Sequence, residues 1–265
     1  MENTRTKTTR NSLILLLTAA IWGMAFVSQS KGMDYMHPFT FNGVRSLIGA
    51  ASILVYILIS RKIAGDKAAP LDWKLNVKAG LLCGIFLTIA STLQQFGIKY
   101  TSVGKAGFIT TLYIIFVPMF GIFLKKKVAP VVWAAAVMAA VGMYLLCMTE
   151  SLRLGAGDIM VFLCAIAFAI QIMTVDHYAA RIDGAVVSCI QFTVCGVVCC
   201  IGALIWGQPT FGQLQEGLGA LLYAGVLSCG VGYTLQIVGQ KGLNPTVAAL
   251  IMSLESVIAT ISGWI

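Results

Sequence analysis

Residues 92–123, TLQQFGIKYTSVGKAGFITTLYIIFVPMFGIF, return as residues 234–265, TLQIVGQKGLNPTVAALIMSLESVIATISGWI, with nine of the thirty-two aligned positions identical. The same offset pairs Ala25 with Ala167, Phe26 with Phe168, Gln29 with Gln171 and Asp34 with Asp176, so the duplication reaches well beyond one segment. The repeated unit carries five apolar stretches. Because five is odd, two copies must cross a membrane in opposite senses, the arrangement of inverted-repeat secondary transporters.

Composition agrees with a membrane setting. Charged residues make up 11% of the 265 positions and apolar ones 58%, against about 25% and 45–50% in soluble domains. Spanning the hydrocarbon takes about 20 apolar residues, and nine stretches approach or reach that length: 12–30, 39–60, 78–96, 106–124, 130–148, 157–175, 185–205, 218–238 and 245–265. The first is preceded by the basic residues Arg5, Lys7 and Arg10, as in a signal peptide. It lacks a small-residue cleavage site, however, and its counterpart near Gly157 is internal, so it reads as a permanent helix.

The first copy occupies residues 1–150 as five spans and the second residues 151–265 as four. The partner of span five, VAPVVWAAAVMAAVGMYLLCM, would fall beyond Ile265. The expected fold is therefore an all-α polytopic inverted-repeat bundle of 5+5 helices with nine present, read as a fragment or gene end of a ten-span protein. The link around Thr149 to Gly157 reads as a short loop.

With the amino terminus inside, 13 of the 18 Lys and Arg residues lie on the cytoplasmic side; Lys31, Lys99, Lys105 and Arg153 lie outside, and Arg45 falls within a span. The positive-inside rule thus predicts a cytoplasmic-membrane protein with a cytoplasmic amino terminus. This topology explains the net charge of +8 without nucleic acid, for which no folded basic, aromatic-interleaved face exists.

No metal or cofactor is expected. All eight cysteines lie in apolar spans without metal-ligand or redox spacing and read as small apolar filler. His37 and His177 fall at opposite ends of their spans. The chain has no Walker loop, H-E-x-x-H or G-x-S-x-G, which removes the parts of an ATP-driven pump or a hydrolase.

Trp22-Gly23 in span one, Arg45 after Pro38 in span two, Thr101-Ser102-Val103-Gly104-Lys105-Ala106 before span four and Leu254-Glu255-Ser256-Val257-Ile258-Ala259 in span nine resemble the EamA-type drug/metabolite transporter superfamily. The resemblance covers the whole chain. It implies a central cavity between two inverted five-helix halves, both termini inside, and export as the direction. Members often carry Pro after the span-nine Glu and at the equivalent point of span four; this chain has Ser256 and Ile114.

Candidate pathway residues follow from depth and symmetry. Glu255 lies about 15 Å in from Pro245 at the helical rise, where a carboxylate must face a cavity, find a partner or take up a proton. Proton coupling is therefore chemically available to it, against a structural role. Its repeat mate is Tyr113, with Thr110 and Thr111 one turn before. Gln94 and Gln236 are repeat mates, as are Gln29 and Gln171, and buried amides need hydrogen-bond partners from a substrate or from neighbouring helices. Trp22, too deep for an interfacial belt, reads as cavity wall or core. Arg45 reads as an anion or coupling contact, or as an anchor snorkelling to the surface. Gly80 and Gly84 suit close helix packing, and Pro118 is a candidate kink.

These readings converge on a secondary transporter, an exporter of a small organic metabolite such as an amino acid or amine, working by alternating access along spans one, three, four, six, eight and nine. Phosphorylated cargo would ask for more intramembrane cations than Arg45 alone. The alternatives are a non-transporting scaffold or assembly subunit, and an intramembrane enzyme, for which convergent catalytic groups are missing.

Overall fold

A computed structural model describes residues 2–65, 70–123, 130–147 and 155–264. Among these the chain is helical throughout its ordered elements. The membrane-length helices are α1 (Glu2–Tyr35), α2 (Pro38–Ala64), α3 (Trp73–Ile98), α4 (Val103–Phe123), α5 (Pro130–Cys147), α6 (Ala156–Tyr178), α7 (Gly184–Gly207), α8 (Leu218–Gln240) and α9 (Pro245–Trp264). A short helix, Phe211–Glu216, precedes α8. Among the described residues, eight of these helices, α1–α4 and α6–α9, are long and apolar enough to span a membrane. Several α5 side chains, including Ala135 and Cys147, lie outside the described residues, as do Lys67, Lys125, Lys126, Lys127 and most of the predicted 149–157 loop.

The helix starts are written locally. His37 Nδ1 accepts from Phe39 N ahead of Pro38, Asp72 from Leu75 N, Asp183 from Ala185 N and Val186 N, and Asn244 from Thr246 N ahead of Pro245. Each pairs a donor that the helix itself leaves unsatisfied, and the two prolines sit where no such donor is needed. Burial and the charge of Lys99 hold the His37 imidazole below its ordinary pKa, which keeps its ring nitrogen available as that acceptor.

Packing is invariant when α1 is exchanged for α6, α2 for α7, α3 for α8 and α4 for α9. The α3–α6 contact maps onto α8–α1, α3–α7 onto α8–α2, and α4–α6 onto α9–α1; α2–α7 and α4–α9 map onto themselves. Small residues permit these approaches. A Cβ on Gly80 would lie 2.7 Å from Ile190 Cβ, and one on Gly84 would lie 2.9 Å from Val194 Cβ, so the G-x-x-x-G pair seats α3 on α7. A Cβ on Gly97 would lie 2.8 Å from Gly157 O on α6, and one on its repeat mate Gly239 would lie 2.7 Å from Leu15 Cδ2 on α1. Gly97→Val is therefore expected to cost about 1–3 kcal/mol through overpacking, read as a lower Tm in detergent, whereas Gly219→Val, with open space around it, should leave Tm unchanged.

Helices α4 and α9 are both broken, and at equivalent points. α4 divides at Leu112 into Val103–Thr111 and Tyr113–Phe123; α9 divides after Met252 into Pro245–Met252 and Glu255–Trp264. At the breaks the backbone bonds tighten to three-residue spacing: Leu112 N to Ile109 O at 3.2 Å, Ile115 N to Leu112 O at 2.9 Å, Leu254 N to Ile251 O at 3.3 Å and Ser256 N to Ser253 O at 3.1 Å. The expected kink at Pro118 is not the cause. Pro118 lies inside the second half of α4, and α9 breaks with no proline there. Hydroxyls do line both breaks: Thr111 donates to Phe108 O, Ser253 to Leu250 O and Ser256 to Ser253 O. Such back-bonding competes with the helical ladder and bends it.

One departure from the repeat has no sequence signal. Residues Tyr223–Gly232 of α8 form a ten-residue π-helix, while their counterpart in α3 is α-helical throughout.

Candidate functional site

The two helix breaks place Tyr113 and Glu255, each the first residue of its second half-helix, face to face. Tyr113 Oη donates to Glu255 Oε1 at 3.1 Å, across 142 residues of chain. Both side chains are buried, Glu255 at 3% exposure. They line a central cavity of about 40 Å³.

Of the ten residues singled out from sequence, all but Thr111 line this cavity. Trp22 stands on α1, where its indole Nε1 donates to Ser228 O at 3.4 Å. That carbonyl belongs to the π-helical segment of α8. Gln94 on α3 donates to Thr110 Oγ1 on α4 at 3.2 Å, and Gln236 on α8 donates to Gln171 Oε1 on α6 at 3.2 Å. Gln171 Nε2, Gln236 Oε1 and Gln29 Oε1 remain buried without a hydrogen-bond partner, so the cavity wall offers both donor and acceptor capacity at a substantial desolvation cost. Thr111, also a candidate neighbour, turns its hydroxyl back to its own helix.

Arg45 does not snorkel to the surface. It is 5% exposed, its guanidinium lies 5.4 Å from the centre of the Phe41 ring, and its Nε has no hydrogen-bond partner. Among the described residues the ion pairs are Arg61 with Asp183 and Lys105 with Asp158. The cavity therefore faces one cation and one carboxylate, neither held by an opposite charge. The repeat mate of Arg45 is Val187, and that of Glu255 is Tyr113, so the charged pair breaks the internal symmetry.

Sequence reasoning missed the aromatic wall. Tyr233 packs on Trp22 with ring centroids 4.6 Å apart and against Phe192 at 4.9 Å, edge to face. Its repeat mate is Ser91, so the offset carries no hint of it. Ser46 and Ser91 both contact the Cys195 thiol at 3.4 Å, which makes that cysteine a polar contact beside the cavity rather than mere filler. The cysteines at 83, 164, 189, 195, 199, 200 and 229 are free, and no metal-ligating cluster occurs among the described residues.

Both ends of the bundle are tied. At the end carrying the amino terminus, Asn11 donates to Lys241 O at 2.8 Å and Asp183 N donates to Asn76 Oδ1 at 2.9 Å. At the opposite end Asp158, 3% exposed, accepts from Lys105 Nζ at 2.8 Å, from Thr101 Oγ1 and from Gly155 N. Small-molecule sites occupy roughly 300–1,000 Å³, so at about 40 Å³ this cavity is far smaller than such a site.

The sequence matches the EamA-like transporter family over residues 10–148 and 155–265. An uncharacterized transporter of Archaeoglobus fulgidus is 30% identical over 171 residues, 62% of this chain; the aligned part is 48% of that relative's length, so this chain spans about half of it. The uncharacterized transporter YwfM of Bacillus subtilis is 27% identical over 95% of this chain and 84% of its own, and an uncharacterized transporter of Clostridium kluyveri is 24% identical over 94% and 83%. A solved crystal structure superposes with a TM-score of 0.75 at 16% identity, covering 96% of this chain and 86% of the other, a likeness of fold alone.

Proposed function

We propose, from the premise that this chain belongs to the EamA-like transporter family, that it carries an amino-acid-like zwitterion out of the cell in exchange for protons. The chain is a multi-pass membrane transporter, and its substrate is a small molecule handled without covalent chemistry. The finer reading rests on one observation: Arg45 and Glu255 face a single buried cavity and neither has a charged partner there. A lone buried charge costs several kcal/mol. A ligand with a carboxylate for Arg45 and an ammonium for Glu255 offsets both costs, and the Trp22–Tyr233–Phe192 wall receives an apolar side chain.

Proton exchange follows from the same carboxylate. An ammonium and a proton compete for Glu255, so uptake of one releases the other. The two halves, residues 1–150 and 151–265, rock about the cavity, with the breaks at Leu112 and Leu254 as pivots; the exchange-invariant packing supports this reading. The excess of basic residues at one end supports a cytoplasmic amino terminus. A scaffold has no use for so many convergent buried polar groups.

The test compares a neutral amino acid, its decarboxylated amine and its N-acetyl derivative as stabilisers of the purified protein. Ligand at about 100 Kd adds about 2.7 kcal/mol of stability. The intact zwitterion is expected to raise Tm and the two derivatives to leave it unchanged. Equal stabilisation by the amine alone, or by nucleosides only, overturns the zwitterion reading.

A further inference from the structure

Away from the central cavity, an apolar groove of about 520 Å³ runs between α2 and α8. Ile53, Val226, Leu235 and Val238 form its floor, and Tyr56 and Val231, 60% and 39% exposed, mark where it opens to the outer surface of the bundle. Of the three hydroxyls on its wall, Ser52 donates to Ile48 O and Thr234 to Gly230 O, each at 2.8 Å, and the third belongs to Tyr56 at the mouth. The groove is thus apolar apart from its mouth.

Tyr56, Thr234 and Val238 also line a second cavity, of about 580 Å³, at the end of the bundle that carries the amino terminus. The two spaces thus adjoin across these three side chains. The second is polar and holds Arg61, Arg181 and Lys241. Its carboxylates are partly engaged: Asp72 Oδ1 caps Leu75 N, and Asp183 caps Ala185 N and Val186 N through Oδ1, while Asp183 Oδ2 lies 4.0 Å from Arg61 within the same cavity. Lys241 spends one donor on Ile182 O and Arg181 one on His177 O. An ammonium has three donors and a guanidinium five, so cationic donors remain for an anion.

We propose that this composite space binds one anionic phospholipid of the adjacent leaflet, its phosphate on Arg61, Arg181 and Lys241 and an acyl chain in the groove between α2 and α8. An apolar groove at membrane depth forfeits contact energy unless hydrocarbon fills it, and basic pockets at helix ends hold anionic headgroups. Free phosphate would satisfy the cations and leave the groove unfilled. The site does not depend on which cargo the central cavity takes, nor on which face of the membrane the amino terminus occupies.

The experiment uses the full chain in detergent with dioleoyl-phosphatidylglycerol, dioleoyl-phosphatidylcholine and glycerol 3-phosphate, read by native mass spectrometry and by Tm. Phosphatidylglycerol is expected to bind and to stabilise, phosphatidylcholine to bind at least tenfold more weakly and glycerol 3-phosphate not at all. Arg181→Gln and Lys241→Gln each weaken phosphatidylglycerol binding by roughly fivefold, as expected for one basic residue at a lipid surface; Arg181 is exposed, so that variant folds. Val231→Trp, at a partly exposed position, blocks the groove and lowers the affinity of both lipids. Equal binding of the two lipids, competition by glycerol 3-phosphate, or charge variants that bind as the parent does would each overturn the proposal.

Discussion

Glu255→Gln in reconstituted vesicles is expected to lose flux driven by a pH gradient while the protein stays folded in the membrane. Glutamine keeps an oxygen that accepts from Tyr113 Oη, the bond that spans 3.1 Å in the parent, so the local packing survives. It also removes a buried charge without a cationic partner, which otherwise costs stability, so Tm should hold or rise. Substrate loses its ammonium partner, and truncating one side of a buried charged contact costs about 2–5 kcal/mol, a drop of roughly 30-fold or more in affinity. Arg45→Gln should cost a similar amount through the carboxylate. Neither variant can be read as a folding defect if Tm is preserved. Undiminished, pH-dependent flux with Glu255→Gln would remove the carboxylate from the coupling step.

That prediction draws on residues the sequence makes visible. The duplicated segment puts Tyr113 and Glu255 at one depth, and mates related by a pseudo-two-fold axis meet where the axis crosses the bundle; they do, in one hydrogen bond. The amides were legible for the same reason, since Gln94 with Gln236 and Gln29 with Gln171 recur at the repeat offset and all four line the cavity. What breaks the symmetry was not legible. Arg45 sits few enough residues from its helix end to reach the surface, and only the packed position of Phe41 and the cavity turns it inward. Tyr233 replaces a serine of the other half, so the offset gives it no weight. Within the π-helical stretch of α8, Gly225 and Gly232 lie close against Ile48 on α2 and Trp22 on α1, tertiary contacts that local propensity does not carry. The breaks in α4 and α9 carry a weak signal, the Ser and Thr hydroxyls beside them, while Pro118 lies inside the second half of α4 and marks no break.

The Lys105–Asp158 pair shows the same limit and carries the second large effect. Lys105 read as one of four outer charges, and Asp158 as the beginning of a span; nothing links positions 53 residues apart until the helices pack. In the fold the pair is nearly dry, with side-chain exposures of 11% and 3%. Its repeat counterparts are Val247 and Leu16, so the pair has no mate in the other half. Asp158→Asn keeps one oxygen for Gly155 N and places an NH2 group, a donor, toward the Thr101 hydroxyl, and it leaves the Lys105 ammonium without its carboxylate. Breaking one side of a buried pair costs about 3–5 kcal/mol, so this variant is expected to lower Tm sharply. Lys105→Met alone strands the carboxylate and should do the same. The double variant, Lys105→Met with Asp158→Asn, removes both charges together, and replacing a buried pair by neutral groups is often close to neutral; it should recover most of the loss. A coupling of at least about 2 kcal/mol in that cycle is the expected signature. Additive losses would mean that the two side chains act separately and that this end of the bundle is held by packing alone.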